Sequence, residues 1–106
     1  MKKIKIMFDF GTLPIWLEKD GCYYPEMGEI TDKNLSIKNI AEEMKEIFDS
    51  CYEFNTHGVP CWFDEEKLMS QKEKLLHLIG QIKKELTISY DNDVEIIDLA
   101  SKELNR

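Results

Sequence analysis

Apolar and polar residues alternate strictly from Lys3 to Phe10. Ile4, Ile6, Phe8 and Phe10 fall on one side of an extended chain, with Lys3, Lys5, Met7 and Asp9 on the other. A period of two predicts a half-buried strand, because successive side chains point to opposite faces of a sheet. Gly11 and Pro14 end the run, and Ile15-Trp16-Leu17 opens a second extended piece. Asp20-Gly21 is a tight-turn dipeptide, from which Cys22-Tyr23-Tyr24 returns as a short third strand until Pro25 stops it. Pro25 to Lys33 is polar and contains Gly28, which predicts an acidic surface loop.

The period then lengthens. Ile37, Ile40, Ala41, Met44, Ile47, Phe48, Cys51 and Tyr52 recur at steps of three and four, the stripe of an amphipathic helix. Ser36 is its expected N-cap, with Leu35 and Ile40 spaced as a hydrophobic staple. Asn55 to Pro60 has loop chemistry, and Cys61-Trp62-Phe63 reads as an apolar plug under that loop or a brief addition to the sheet. A second helix is capped by Asp64, and Glu65 and Glu66 in its first turn complement the helix dipole. Its stripe is Leu68, Leu75, Ile79, Ile82 and Leu86, broadened by Met69, Leu76 and Leu78. From Thr87 the alternation of Ile88 and Tyr90 points to extended chain. Asp91-Asn92-Asp93 then predicts a turn, Val94 to Ile97 a late strand, and Asp98 the cap of a short helical tail. The order predicts one α+β domain over residues 1–106: a small antiparallel sheet, made of the N-terminal hairpin plus a late strand, packed against two long amphipathic helices.

Charge sharpens this picture. Twenty-one acidic residues against 14 basic leave a net charge of −7, which repels phosphate backbones and anionic membranes and favours a basic protein partner. The apolar run Ile6-Met7-Phe8 is too short for a secretory segment, and no stretch approaches a membrane helix. Cys22, Cys51 and Cys61 are an odd number without close pairing, as expected of free thiols in a cytoplasmic protein.

Candidate chemistry is thin. Asp9-Phe10-Gly11 matches a kinase tripeptide, but nothing else of a kinase accompanies it. Cys22, Cys51, His57 and Cys61 lack the short paired spacing of a zinc site. A Cys61 nucleophile with His57 as base would sit beside Asp64, Glu65 and Glu66, and carboxylates disfavour a thiolate. The Glu42-Glu43 and Glu65-Glu66 pairs lie on polar helix faces. Acidic residues concentrate at Glu18-Asp20, Glu26-Asp32, Asp64-Glu66 and Asp91-Asp98, and Trp16, Tyr23, Tyr24 and Trp62 stand beside these clusters. Such aromatics serve either as core or as interface anchors.

The stretch Ile6 to Leu17 (IMFDFGTLPIWL) resembles the opening of small bacterial immunity proteins encoded beside contact-dependent growth-inhibition or polymorphic toxins. The likeness lies in a strand ending in an aromatic-Asp-aromatic-Gly step and a Trp-containing strand, followed by a Gly turn and two helices. Asp9, Gly11 and Trp16 carry it. The resemblance implies a stoichiometric inhibitor without catalysis, cofactor or metal. Its partner would be the cognate toxin C-terminal domain, and the acidic charge points to a basic nuclease among such toxins. The residues expected to bind it are Asp9, Trp16, Glu18, Asp20, Tyr23, Tyr24, Glu26, Glu29, Asp32, Asp64, Glu65 and Glu66. The competing readings are a small accessory or regulatory subunit of a larger assembly and an enzyme using Cys61 and His57.

Overall fold

The first strand lies inside the sheet it opens. The computed structural model describes residues 1–106 and contains β1 (Lys2–Ile6), β2 (Ile15–Lys19), β3 (Cys22–Pro25), α1 (Leu35–Asp49), β4 (Tyr52–Phe54), β5 (Pro60–Phe63), α2 (Glu65–Ser70), α3 (Lys72–Ser89), β6 (Val94–Asp98) and α4 (Leu99–Leu104). Four strands form one sheet in the order β3-β2-β1-β6, and β4-β5 form a separate two-stranded sheet. The fold is α+β, as the hydrophobic pattern predicts.

Antiparallel pairing of β1 with β2 sets Ile4 opposite Leu17 and Ile6 opposite Ile15. These four side chains are buried on one face, in one cluster with Ile37, Ala41 and Met44 of α1, Leu75, Ile79, Ile82 and Leu86 of α3, and Ala100 and Leu104 of α4. Each such buried Ile or Leu contributes about 1.5–3 kcal/mol. The other face carries Lys3, Lys5, Trp16, Glu18, Tyr23, Glu95 and Ile97, none of them fully buried.

Several boundaries differ from expectation. The late strand β6 runs parallel to β1, with Ile4 opposite Ile96, so the sheet is mixed rather than wholly antiparallel. Parallel neighbours require a long crossover, and the helices supply it. The cap of α1 is Asn34, whose Oδ1 accepts from the Ile37 amide at 3.1 Å. Ser36 therefore falls inside the first turn, and Leu35 is left exposed rather than stapled. The helix stops at Asp49, whose carboxylate accepts from the Gly11 amide at 3.1 Å and from Lys45 at 2.9 Å. Cys51 is buried just beyond the helix, and Tyr52 begins a strand. The expected second helix breaks at Gln71 into α2 and α3, and α3 continues to Ser89. Thr87 and Ile88 are helical, the Thr87 hydroxyl donating back to the Lys83 carbonyl at 2.8 Å, and burial of Leu86 in the core carries α3 past the alternation around Ile88. Asp64 and Asp98 cap α2 and α4 as expected, accepting from Lys67 and Ser101 amides.

No helix of the structure is long and apolar enough to cross a membrane.

Candidate protein-binding surface

The register divides the twelve expected binding residues between two ends of the sheet. β2 turns into β3 at Asp20-Gly21, at the end where β1 and β6 begin. Glu18, Asp20 and Glu29 gather there with Lys2 and Lys19, and Asp93 lies within reach of the N-terminal amine. Backbone amides of Glu29 and Met27 hold the Glu29 carboxyl below the usual carboxylate range. Asp32 belongs to the same loop and packs against Gly28. On the outer face, Trp16 donates its indole N–H to the Met7 carbonyl at 3.2 Å, and Lys5 reaches across β2 to lie 4.0 Å from the centre of the Tyr23 ring. Tyr24 is exposed on the β3 edge.

Glu26 is a correction. It is expected on the surface, yet it is 3% exposed. Its Oε1 accepts from the amides of Gly28, Ile30 and Thr31, and the Thr31 hydroxyl bonds to both carboxylate oxygens. The side chain clasps its own loop and is unavailable to a partner. A buried carboxylate persists because its lone pairs are filled.

The opposite end is built from aromatics. Phe8 stacks on Phe48 with ring centroids 4.9 Å apart and planes within 4°. Phe48 contacts Tyr52 and Phe63, Tyr52 contacts Phe10 at 4.8 Å, and Phe10 contacts Phe54 at 5.8 Å. Burial, followed by the charge of Asp9, raises the Tyr52 phenol above its ordinary pKa. Asp9 is thus placed at this end, far from Glu18 and Asp20.

This cluster is the root of the β4-β5 hairpin. Tyr52 opposes Phe63, Glu53 opposes Trp62, and a bulge falls between Glu53 and Phe54. Every residue from Glu53 to Trp62 is exposed, including Phe54 at 51%, Val59 at 53% and Trp62 at 64%. Trp62 is therefore neither core nor part of the main sheet, and Cys61-Trp62-Phe63 is a strand rather than a plug. Trp62 and Phe63 line an open cleft of about 520 Å³ with Asp64, Glu65 and Glu66. Glu65 is 3.7 Å from Arg106, and Lys67 is turned to the Ser50 carbonyl at 2.8 Å.

The structure thus brings Asp64, Glu65 and Glu66 together with an exposed apolar hairpin, separate from Glu18, Asp20, Glu29 and Asp32. Phe54 and Val59 are absent from the residues expected to bind. Their signal was the pair of apolar segments flanking Asn55-Thr56-His57-Gly58, a hairpin pattern hidden by the helical spacing of Cys51 and Tyr52.

The thiols fall in three unrelated places. Cys22 is exposed on β3, and Cys61 is exposed on β5, donating to the Glu53 carbonyl at 3.6 Å. Burial raises the pKa of Cys51, whose thiol donates to the Ile47 carbonyl at 3.4 Å, so it acts as a small core hydrophobe. No protein-family model, characterised protein or solved structure matches the chain.

Proposed function

We propose that this chain is an immunity protein that binds and neutralises the C-terminal toxin domain of a contact-dependent or polymorphic toxin. The target is a basic nuclease domain, met one-to-one in the cytoplasm and blocked at its active site or substrate groove. The observation that carries this reading is an unburied apolar hairpin flanked by Asp64, Glu65 and Glu66 in a chain of net charge −7. Apolar anchors beside like charges form a surface that gains by covering itself with a protein of opposite charge. Electrostatic steering also speeds capture, which an inhibitor of a lethal enzyme requires.

The accessory-subunit reading draws less support. It places helices against a larger assembly, whereas the stripes of α1 and α3 are already consumed by this chain's own core.

The test begins with the genes beside this one: a toxin domain is expected among them, to be co-expressed with this chain and co-purified at low and high salt. Rescued growth and a one-to-one complex that weakens as salt rises are expected. A toxin that kills equally with and without this chain would overturn the reading.

A further inference from the structure

We infer that the β4-β5 hairpin is a finger that enters a concave apolar groove on its partner, whose basic rim meets Glu53 and the carboxylates of Asp64, Glu65 and Glu66. This rests on the reading of the chain as an inhibitor of a basic protein, and it assigns the part of the surface responsible.

Three observations converge on the finger. All ten residues from Glu53 to Trp62 are exposed, with Phe54 resting against Phe10 at 5.8 Å where the hairpin leaves the body. Its projecting part carries Phe54, Val59, Pro60 and Trp62 but only Glu53 as a carboxylate and no lysine or arginine. Phe54, Val59 and Trp62 supply apolar surface that gains by burial in such a groove, and a large indole is a frequent hot spot. The charges stand at the root, where Asp64 also caps α2 and Glu65 lies 3.7 Å from Arg106, and they would face the rim of the groove. A partner with basic residues there is attracted, and an acidic one is repelled.

The finger is also organised before it binds. Asn55 accepts from the amides of His57 and Val59 through its side-chain oxygen, at 2.9 and 3.0 Å, and its own N–H donates to the Val59 carbonyl at 3.0 Å. Gly58 supplies a left-handed φ of 76° for the turn. The root is fixed by Tyr52 and Phe63 against Phe48. A shape set in advance avoids the ordering cost of binding. The β2-β3 end offers the contrast: Glu29 there has Lys2 and Lys19 nearby, and the large exposed apolar side chains of the hairpin and the loop after it are only Tyr24 and Met27.

The experiment is isothermal titration of the whole chain with a catalytically inactive form of the toxin domain that the co-expression test identifies. The chain is compared as wild type, Trp62→Ala, Phe54→Ala, Val59→Asp and Asp20→Lys. Native circular dichroism is required of each variant, and Val59→Asp, at the exposed tip, tests the finger without touching its aromatic root. The three finger variants are expected to weaken binding by about 30-fold or more, and Asp20→Lys by less than about threefold. Folded finger variants that bind as tightly as wild type would overturn the finger and leave the inhibitor reading standing. Failure of the wild-type chain to bind would overturn both. Concentration-dependent dimerisation abolished by Trp62→Ala would overturn it in favour of a second copy of this chain.

Discussion

The β2-β3 and β4-β5 hairpins begin from similar local chemistry and meet opposite fates. The first turns on Asp20 and Gly21, both left-handed at φ 53° and 82°, with the Gly21 amide donating to Glu18 at 2.7 Å. The second turns through Asn55 to Val59, stitched by the Asn55 side chain. What separates them is the next strand. β1 pairs with β2 and brings Leu17 to 2% exposure, whereas no strand flanks β4-β5 and Phe54, Val59 and Trp62 stay in water. Turn chemistry creates a hairpin, but its neighbours decide whether its side chains serve stability or recognition.

Deleting one apolar side chain from each hairpin should break the comparison most sharply. Leu17→Ala is expected to lower unfolding free energy by about 2–5 kcal/mol. Trp62→Ala is expected to shift it by no more than about 0.5 kcal/mol. Urea titration measures both, and a Trp62 variant as unstable as the Leu17 variant would place the indole in the core. A smaller effect should come from Asp98, which belongs to the sheet and has no counterpart in the free hairpin. Burial pushes its carboxyl upward, but hydrogen bonds from Lys83 at 2.6 Å and from Ser101 outweigh it and leave the pKa lowered. A depressed folded pKa gives stability that is present above the unfolded value and is lost as pH falls through the folded one. Asp98→Asn should therefore cost about 1 kcal/mol at pH 7, limited by the solvent around Lys83. That deficit should shrink as pH falls below the unfolded carboxylate range and toward the lowered folded value, as urea titrations at pH 7 and at steps down through the acid range would reveal. The finest distinction is between glycines. Gly21→Ala places a Cβ at a left-handed φ inside the main sheet and should cost about 1 kcal/mol. Gly58→Ala imposes similar strain on a free tip and should leave the global urea midpoint nearly unchanged while perturbing the amide resonances of His57 and Val59.

Much of the body was legible because long-range burial there obeys local periodicity. Ile4 and Ile6 alternate as a strand must, and Ile37, Ala41, Met44 and Phe48 recur as a helix must. The misreadings have physical reasons. Cys51 and Tyr52 continue the helical spacing by coincidence, yet the Asp64 amide donates to the Cys51 carbonyl and begins a hairpin instead. Glu26 looks like any loop carboxylate until three amides and a hydroxyl turn to it, and no period marks such a clasp. The direction of β6 depends on where α3 ends, which the alternation of Ile88 and Tyr90 disguised. For binding, residue type located acidic and aromatic groups, but only strand register separated the two ends.

The pairing of β1 with β6 also governs the order of events during synthesis. Lys2 to Ile6 lie beside Val94 to Asp98, so β1 stays half-paired until the chain that separates the two strands has emerged. Until then the nascent chain carries an open strand edge, exposed to mispairing with its neighbours. Completion of the sheet, and of the core beneath it, is thereby tied to arrival of β6, and a chain that lacks Val94 to Asp98 would leave the edge of β1 open.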